Sequence, residues 1–195
     1  MFVKLEDIAN VTTGVYEKGI GLLGDTLYLQ AKHFDRNGEF RMDAIINQEI
    51  ISDKKLRRHI LQDKDLLITA KGLNNRVCLY RSDIGQAVAS STFFVMRLHS
   101  TNILPEYVKW YFNTMRMQMF LSSLTKGTHI LSLSKKSLLN VELEIPSLEK
   151  QEEVLKLQLC WDLERRITLD LLEQKEIFYQ TLLLNLTKSK LTKNE

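Results

Sequence analysis

The sequence pattern changes from that of a strand to that of a helix between residues 140 and 155, where the chain reads NVELEIPSLEKQEEVL. Apolar residues alternate with polar ones up to Ile145, which predicts a strand because successive side chains of a strand point to opposite faces. Pro146 ends this run, and Ser147 is a typical helix N-cap followed by glutamates that suit the positive end of a helix dipole. We therefore predict a domain over residues 1–146 and a helix that begins after Pro146.

The second part of the chain predicts a single long helix, because neither glycine nor proline occurs after Pro146. We expect this helix to cover residues 147–187, and we expect residues 188–195 to form a disordered tail. At about 1.5 Å per residue the helix would be roughly 60 Å long, which is more than the first domain needs for its own core. Such a helix is expected to have a partner.

Apolar residues of this helix form a ridge at mostly four-residue spacing, which predicts packing against another helix. The ridge consists of Leu155, Leu159, Leu163, Ile167, Leu171, Phe178 and Leu182. A strict heptad repeat is missing, so the sequence favours a short antiparallel or crossed helix pair over a long parallel zipper. The alternative is that the helix folds back on its own domain.

The first domain contains short runs of branched and aromatic residues that predict strands. They are Leu27–Ala31, Asp65–Ala70, Val77–Tyr80, Phe93–Arg97, His129–Leu133 and Asn140–Ile145. No helical pattern long enough for a βαβ crossover lies between the first four, which indicates an antiparallel or mixed sheet. One amphipathic helix is predicted from Pro105 to Leu121, with its aromatic and Met residues in the core. The predicted fold class is therefore α+β, with a mixed or antiparallel sheet, small helices and one long C-terminal helix.

Composition favours a soluble, cytoplasmic protein. Lys4, Glu6 and Asp7 interrupt any apolar segment at the N-terminus, so a signal peptide is not expected. No apolar run is long enough to cross a membrane. The two cysteines, Cys78 and Cys160, lie in an apolar run and a helical run, and both are predicted to be buried thiols.

The sequence predicts no catalytic site, no metal site and no cofactor. The four histidines lack metal-ligand spacing, and phosphate-loop and nucleophile-elbow motifs are missing. A DNA methyltransferase would need an Asn/Asp-Pro-Pro-aromatic tetrapeptide, but the two prolines are isolated from each other. A metal nuclease would place a carboxylate two residues before its lysine, but Thr69 stands there before Lys71. We therefore expect that the chain is not an enzyme.

Four loops instead combine cations, amides and hydroxyl groups, which are the groups that bind duplex DNA. The candidate residues are Gln30, Lys32, His33, Lys71, Asn74, Asn75, Arg76, Ser91, Thr92, Lys126, Thr128 and His129. Polar loops of this kind are often simple turns. The positive excess behind the net charge of +3 lies within residues 1–146. The densest basic run, Lys54–His59, fits a solvated face and a DNA contact equally well.

Several further motifs follow one another in a recognisable order. They are Lys4–Ala9 with Thr12–Gly14, Tyr28–Phe34, Leu61–Ile68 with Lys71 and Gly72, Ala89–Thr92, and Leu138–Gln151. Each motif alone is weak, but their order resembles the recognition domains of Type I restriction-modification specificity subunits over nearly the whole chain. Two features depart from that family. Lys64 stands where glycine is frequent, and family members usually carry two recognition domains and two long helices, whereas this chain has one of each.

The resemblance implies a target-recognition domain that binds double-stranded DNA, followed by a dimerising helix. Two copies would pair through their helices into a homodimer, or the chain would pair with a different half-subunit. The paired helices would dock methyltransferase (modification) subunits, and the resemblance also allows a restriction subunit as a partner. The alternative is a truncated specificity cassette that acts as a protein-interaction module without useful DNA affinity of its own.

Roles can be assigned to the loop residues on the same basis. Phosphate contacts are expected from Lys32, Lys71, Lys135 and Lys136, and these would fix the register of the protein on the duplex. Base edges are expected to be read by Gln30, Asn74, Asn75, Arg76 and His129.

Overall fold

The computed structural model describes residues 2–16, 24–35, 37–41, 49–50, 56–72, 74–127 and 131–188. The chain divides into two compact units, Met1–Glu152 and Glu153–Glu195. The division lies beyond residue 146 because Gln151, near the start of the long helix, is fully buried in the first unit. Its side chain accepts a hydrogen bond from the Leu104 N–H (2.9 Å) and donates to the carbonyl of Asn102 (3.0 Å).

The strands of the described residues all lie in the first unit. They are β1 (Phe2–Lys4), β2 (Ala9–Thr13), β3 (Thr26–Leu29), β4 (Glu49–Ile50), β5 (Leu66–Thr69), β6 (Val77–Leu79), β7 (Ala87–Ala89), β8 (Phe93–Leu98) and β9 (Glu142–Glu144). One sheet has the order β2-β8-β5-β6, a second has the order β4-β3-β7, and β1 pairs with β9. Strands β3 and β7 are parallel, and the other pairs are antiparallel. The sheets are therefore mixed and antiparallel, as predicted from the sequence.

The single helix predicted from residue 105 consists of two helices, α1 (Pro105–Asn113) and α2 (Met115–Leu124). Thr114 separates them with an extended backbone (ψ 145°), and its hydroxyl group caps α2. The break has a tertiary cause. The Asn113 side chain accepts a hydrogen bond from the Val77 N–H (2.9 Å) and donates to the Val77 carbonyl (2.7 Å), which holds the end of α1 against β6.

The last elements of the chain are α3 (Lys135–Leu139), β9 and α4 (Leu148–Lys188). The predicted strand over 129–133 is not formed in its described part, where Ser132 makes only isolated bridges; residues 128–130 lie outside the described residues. Helix α4 is 41 residues long and confirms the predicted long helix. The predicted tail falls almost entirely on residues 189–195, which are also outside the described part. Among the described helices, none is both long and apolar enough to span a membrane.

Strand β5, inside the four-stranded sheet, is buried on both faces. Leu66 and Ile68 of β5 enter one core, which also holds Phe112 of α1 and Leu121 of α2. Leu67, between them, enters a second core on the opposite face. This explains why β5 is apolar at successive positions, since a strand alternates its side chains between two buried faces.

Candidate nucleic-acid interface

Two of the predicted loops lie side by side at the ends of β3 and β7. These strands are parallel, with Leu29 opposite Ala89, and one loop follows directly after each of them. The Ser90 N–H donates a hydrogen bond of 2.8 Å to the carbonyl of Leu29. The loop that begins at Gln30 therefore lies next to the turn formed by residues 90–92.

The other two loops join them at the end of β5. The Ala70 N–H donates a hydrogen bond of 2.8 Å to the carbonyl of Thr92, and Lys71 follows Ala70 in the chain. Lys71 and Lys126 each form a β-bridge with Ser132, so these two lysines flank one short segment. All four predicted loops therefore converge, although they are far apart in the sequence.

Helix α3 begins beside the same loops. The Leu133 N–H donates a hydrogen bond of 2.8 Å to the carbonyl of Ala70, which places this part of the chain against the end of β5. Ser134 caps α3, because its Oγ accepts the backbone N–H of Ser137 at 3.0 Å. Lys135 and Lys136, the first two residues of α3, are both exposed.

The converging segments present an exposed set of cations and polar groups. Lys32, Lys71, Asn74, Lys126, Lys135 and Lys136 are exposed, and Gln30, Arg76, Ser91 and Thr92 are half-buried. None of the five lysines forms an ion pair with a carboxylate in the described part of the chain. Unpaired surface lysines are suited to neutralise phosphates, a process that releases counterions and supplies much of the affinity for DNA.

His33 is buried, so its side chain is not presented for contact with a base. It is 2% exposed, and its Nδ1 accepts a hydrogen bond of 3.2 Å from the Gln30 N–H. Its Nε2 has no hydrogen-bond partner among the described residues. Burial in the first place, and then the charge of Lys32, lower the pKa of His33 and favour the neutral ring. Contrary to the sequence prediction, we assign His33 to the internal structure of its loop.

Asn75 is also buried, at 2% exposed. Its Nδ2 donates a hydrogen bond of 2.8 Å to the Thr69 carbonyl, and its own carbonyl accepts one of 2.9 Å from Gln118 of α2. The Thr69 hydroxyl donates to the carbonyl of Asn74 at 2.6 Å. These bonds shape the loop after β5 and leave Asn74 exposed, so we retain Asn74 and not Asn75 as a candidate reader.

Arg76 links this loop to the first one. Its Nη1 donates a hydrogen bond of 2.7 Å to the carbonyl of Asp35, shortly after the 3-10 helix Ala31–His33. The guanidinium carries five N–H donors, so this bond leaves donors that can face a ligand. Thr128 and His129, the remaining candidates of the fourth loop, lie outside the described residues.

The second candidate surface is α4. Of the predicted ridge, Leu155 is half-buried and the other six residues are between 43% and 71% exposed. Further exposed apolar residues of this helix are Leu157, Trp161, Leu169, Leu172, Tyr179 and Leu183. At about 100° per residue, this second set lies on the opposite side of the helix from the ridge. Apolar surface therefore surrounds α4, which is typical of a helix that is buried on more than one side.

The two cysteines differ in environment. Cys78 is 1% exposed, and burial raises the pKa of its thiol to about 12. Cys160 is exposed, so the prediction that both thiols are buried was wrong for this residue. The reason is its position on α4, where the neighbouring side chains are exposed as well.

Comparison with known proteins identifies the family. The sequence model of the family described as Type I restriction modification DNA specificity domain matches residues 1–174. The chain belongs to this family. The match includes all four converging loops and the first part of α4. A search of curated proteins finds no match to this sequence.

Solved structures show the same fold for this specificity domain. A chain from a study of complex assembly and conformational transition of the type I R-M system is 14% identical, with a TM-score of 0.66 over 84% of this chain and 38% of that one. The HsdS subunit from Thermoanaerobacter tengcongensis is 14% identical, with a TM-score of 0.60 over 79% and 35%. The Type-I restriction-modification S subunit from M. genitalium is 12% identical, with a TM-score of 0.50 over 73% and 33%.

The specificity-domain chain thus spans between 33% and 38% of the length of these solved structures. These likenesses confirm the fold class predicted from the sequence, an α+β domain followed by a long helix. The family resemblance predicted from the motif order is confirmed as well.

Proposed function

We propose that this chain is the sequence-specific DNA-binding subunit of a Type I restriction-modification system, acting as a homodimer of half-subunits. It would direct methyltransferase subunits, and a restriction subunit where one is present, to a DNA site. The observation that carries the proposal is the convergence of four cationic and polar loops in a member of the DNA specificity family. A surface of this kind can contact several successive nucleotides at once.

Within this interface, the exposed lysines and the other polar residues would have different roles. Lys32, Lys71, Lys126, Lys135 and Lys136 would contact phosphates and fix the register of the protein on the duplex. Gln30, Asn74, Arg76, Ser91 and Thr92 would face base edges, since amide and guanidinium groups distinguish bases by paired hydrogen bonds. Specificity would therefore reside mainly in the loops after β3 and β5.

Substitutions in these two groups are expected to have different effects on binding. Arg76→Ala should relax preference at one base pair, at a cost of about 1–3 kcal/mol for the preferred sequence. Lys135→Ala should weaken binding to all sequences alike and reduce the slope of log affinity against log salt by about 0.9. Fluorescence titrations with a preferred and a scrambled duplex at several salt concentrations separate the two effects.

Lys4→Ala is the control for these titrations, because Lys4 lies on β1, outside the four loops. It should leave both the preference and the salt slope close to those of the unmodified protein. A uniform loss of affinity for Arg76→Ala, together with a loss of preference for Lys135→Ala, would reverse the proposed roles.

Helix α4 supports the dimer and the docking of other subunits. One side of the helix carries the predicted ridge, and the opposite side carries a second set of exposed apolar residues. Burying large apolar side chains contributes roughly 1.5–3 kcal/mol for each one. A second copy on one side and a methyltransferase subunit on the other would cover both sets.

A single charge on the ridge is expected to disrupt the dimer. Ile167→Glu places a carboxylate in the middle of the ridge, where burial without a partner is costly. Light scattering should give the mass of a dimer for the unmodified chain and of a monomer for Ile167→Glu. Thr168→Glu adds the same charge at the next position, off the ridge, and should remain a dimer. A chain that is monomeric both alone and with a modification subunit would contradict the pairing and favour a helix folded back on its own domain.

The exposed helix also favours the second candidate function, a specificity cassette that binds other proteins and has no useful DNA affinity. The two candidates differ in DNA protection. The chain together with a modification subunit should protect one defined sequence from nuclease digestion if it reads DNA. A stable complex with the modification subunit that protects no sequence would favour the interaction module.

A further inference from the structure

A cavity of about 110 Å³ lies beside the converging loops, on one face of strands β2 and β8. Its floor is made of two cross-strand pairs, Asn10 opposite Arg97 and Thr12 opposite Val95. Residues directly opposite each other in an antiparallel pair share one face of the sheet. Asn10 and Thr12 are exposed, so the cavity opens to solvent.

The wall of the cavity is formed by Arg58 and His59, the last two residues of the 3-10 helix Arg57–His59, together with Ile60. Ile60 forms an antiparallel bridge with Val88, and the Leu61 N–H donates a hydrogen bond of 2.9 Å to the Ala87 carbonyl. These bonds hold the wall against β7. The described part of the basic run Lys54–His59 is therefore held in place through the two residues that follow it, Ile60 and Leu61.

Two guanidinium groups line the cavity. Arg97 is oriented by Asp65, with Nε to Oδ1 at 2.8 Å and Nη2 to Oδ2 at 2.6 Å, and its Nη1 has no partner among the described residues. The Nε of Arg58 donates a hydrogen bond of 3.3 Å to the Nε2 of His59, and its two terminal nitrogens have no partner in the described part of the chain. Of the described residues that line the cavity, none is a carboxylate.

We propose that this cavity binds a phosphate group of the DNA backbone. Guanidinium groups donate paired hydrogen bonds to phosphate oxygens, and the Thr12 hydroxyl and the Asn10 amide can supply further donors. The volume is well above the roughly 10–15 Å³ that a single water needs, so it has room for a phosphate group. The Asp65 carboxylate is already engaged by Arg97, and among the described residues no carboxylate forms an ion pair with Arg58 at the cavity.

The position of the cavity supports DNA as the source of the phosphate. Val15, just beyond the end of β2, forms a bridge with Ser90, the first residue of the turn that carries two of the DNA-contact candidates. Gly14 and Ala89, which precede these two bridge residues, line the cavity. A phosphate held here would therefore belong to the same DNA segment that the loops contact, and in this respect the inference rests on the proposed function.

Two neighbouring arginines test the proposal, because they carry the same charge and differ in whether they line the cavity. Both are exposed, but Arg58 lines the cavity and Arg57 does not. Arg58→Ala should weaken binding of a scrambled DNA duplex about tenfold and reduce the salt slope by about 0.9. Arg57→Ala removes the same charge and should cost less than about threefold, since it loses only a screened long-range attraction. Equal losses for the two variants would overturn the proposal.

A second readout tests the cavity without relying on DNA recognition. In NMR spectra of the full chain, the Nε–H signals of Arg58 and Arg97 should shift on titration with inorganic phosphate and with the scrambled duplex, and the Arg57 signal should not. Shifts with inorganic phosphate but not with the duplex would overturn DNA as the source and leave a site for the free anion. No shift with either probe would overturn the site itself. If the Arg58→Ala chain with a modification subunit still protects one DNA sequence, the proposed function stands even though this phosphate contact has been removed.

Discussion

Replacing Gly14 by alanine is expected to lower the free energy of unfolding by about 3 kcal/mol. A Cβ at this position would lie 2.1 Å from the carbonyl oxygen of Ser90 and 2.6 Å from that of Ala89. Both atoms belong to the backbone, so no side-chain rotation can relieve the contact, and β2 would have to move away from the turn after β7. The hydrogen bond from the Gly14 N–H to the Phe93 carbonyl, 3.0 Å long, would be strained by that movement.

Gly72→Ala is the matched control for this substitution. A Cβ at Gly72 would meet nothing within 4 Å, but its φ of +115° is one that residues with side chains rarely adopt. Only backbone strain of about 1–2 kcal/mol is expected there. Urea denaturation of both variants measures the difference. A Gly14→Ala variant that is as stable as the unmodified protein, or no less stable than Gly72→Ala, would show that the two chain segments do not approach as closely as described.

Arg97→Ala is expected to destabilise the protein by about 2–3 kcal/mol, because it leaves Asp65 without its cation. The Asp65 side chain is 1% exposed, while Arg97 is 39% exposed at the open end of the pair. Removing Arg97 costs less than removing a wholly buried partner would, because Arg97 is the exposed member of the pair. The Asp65 carboxylate that remains is nevertheless desolvated. The Gln62 N–H, at 2.8 Å from Oδ2, compensates only part of the loss.

Two further variants sharpen this prediction. Arg81→Ala removes a cation of the same kind from an exposed pair with Asp83, where the side chains are 70% and 66% exposed, and should cost less than about 1 kcal/mol. Replacing both members of the buried pair, as Asp65→Leu with Arg97→Met, should restore part of the stability lost in Arg97→Ala. Equal midpoints for Arg81→Ala and Arg97→Ala in urea would contradict the assigned role of the buried carboxylate.

The long helix was predictable because its signals are local. The N-cap at Ser147 and the lack of glycine and proline after Pro146 are visible in the sequence, and α4 runs from Leu148 to Lys188 as a result. The break at Thr114 was not predictable in the same way. It depends on hydrogen bonds between Asn113 and Val77, which lie far apart in the sequence.

Residue types selected the candidate DNA contacts, but only the fold decides which of them are accessible. Asn74 and Asn75 have identical side chains in adjacent positions. Asn74 is exposed, whereas the Asn75 side chain is hydrogen-bonded to the Thr69 carbonyl. His33 is buried for a comparable reason, since it accepts a hydrogen bond within its own loop. The convergence of the four loops depends on strand pairings such as that between β3 and β7, which one sequence does not reveal.

The phosphate-binding cavity was missed although its sequence contains a signal. In β2, Asn10 and Thr12 are polar while Ala9 and Val11 are buried, and such alternation marks a strand with one accessible face. Residues 9–13 were not predicted as a strand, so the accessible face of β2 and its polar residues Asn10 and Thr12 were not among the candidates. Their pairing with Arg97 becomes visible only with the register of β8.

Selection from a random DNA pool tests directly whether this chain reads DNA as a pair of identical half-subunits. The full chain with a modification subunit would be incubated with random duplexes, and the bound fraction would be sequenced. One enriched interrupted sequence is expected, with two identical half-sites in inverted orientation, because the two-fold symmetry of a dimer is mirrored in its DNA. A bound fraction with no enriched sequence, from a complex that forms stably, would contradict it.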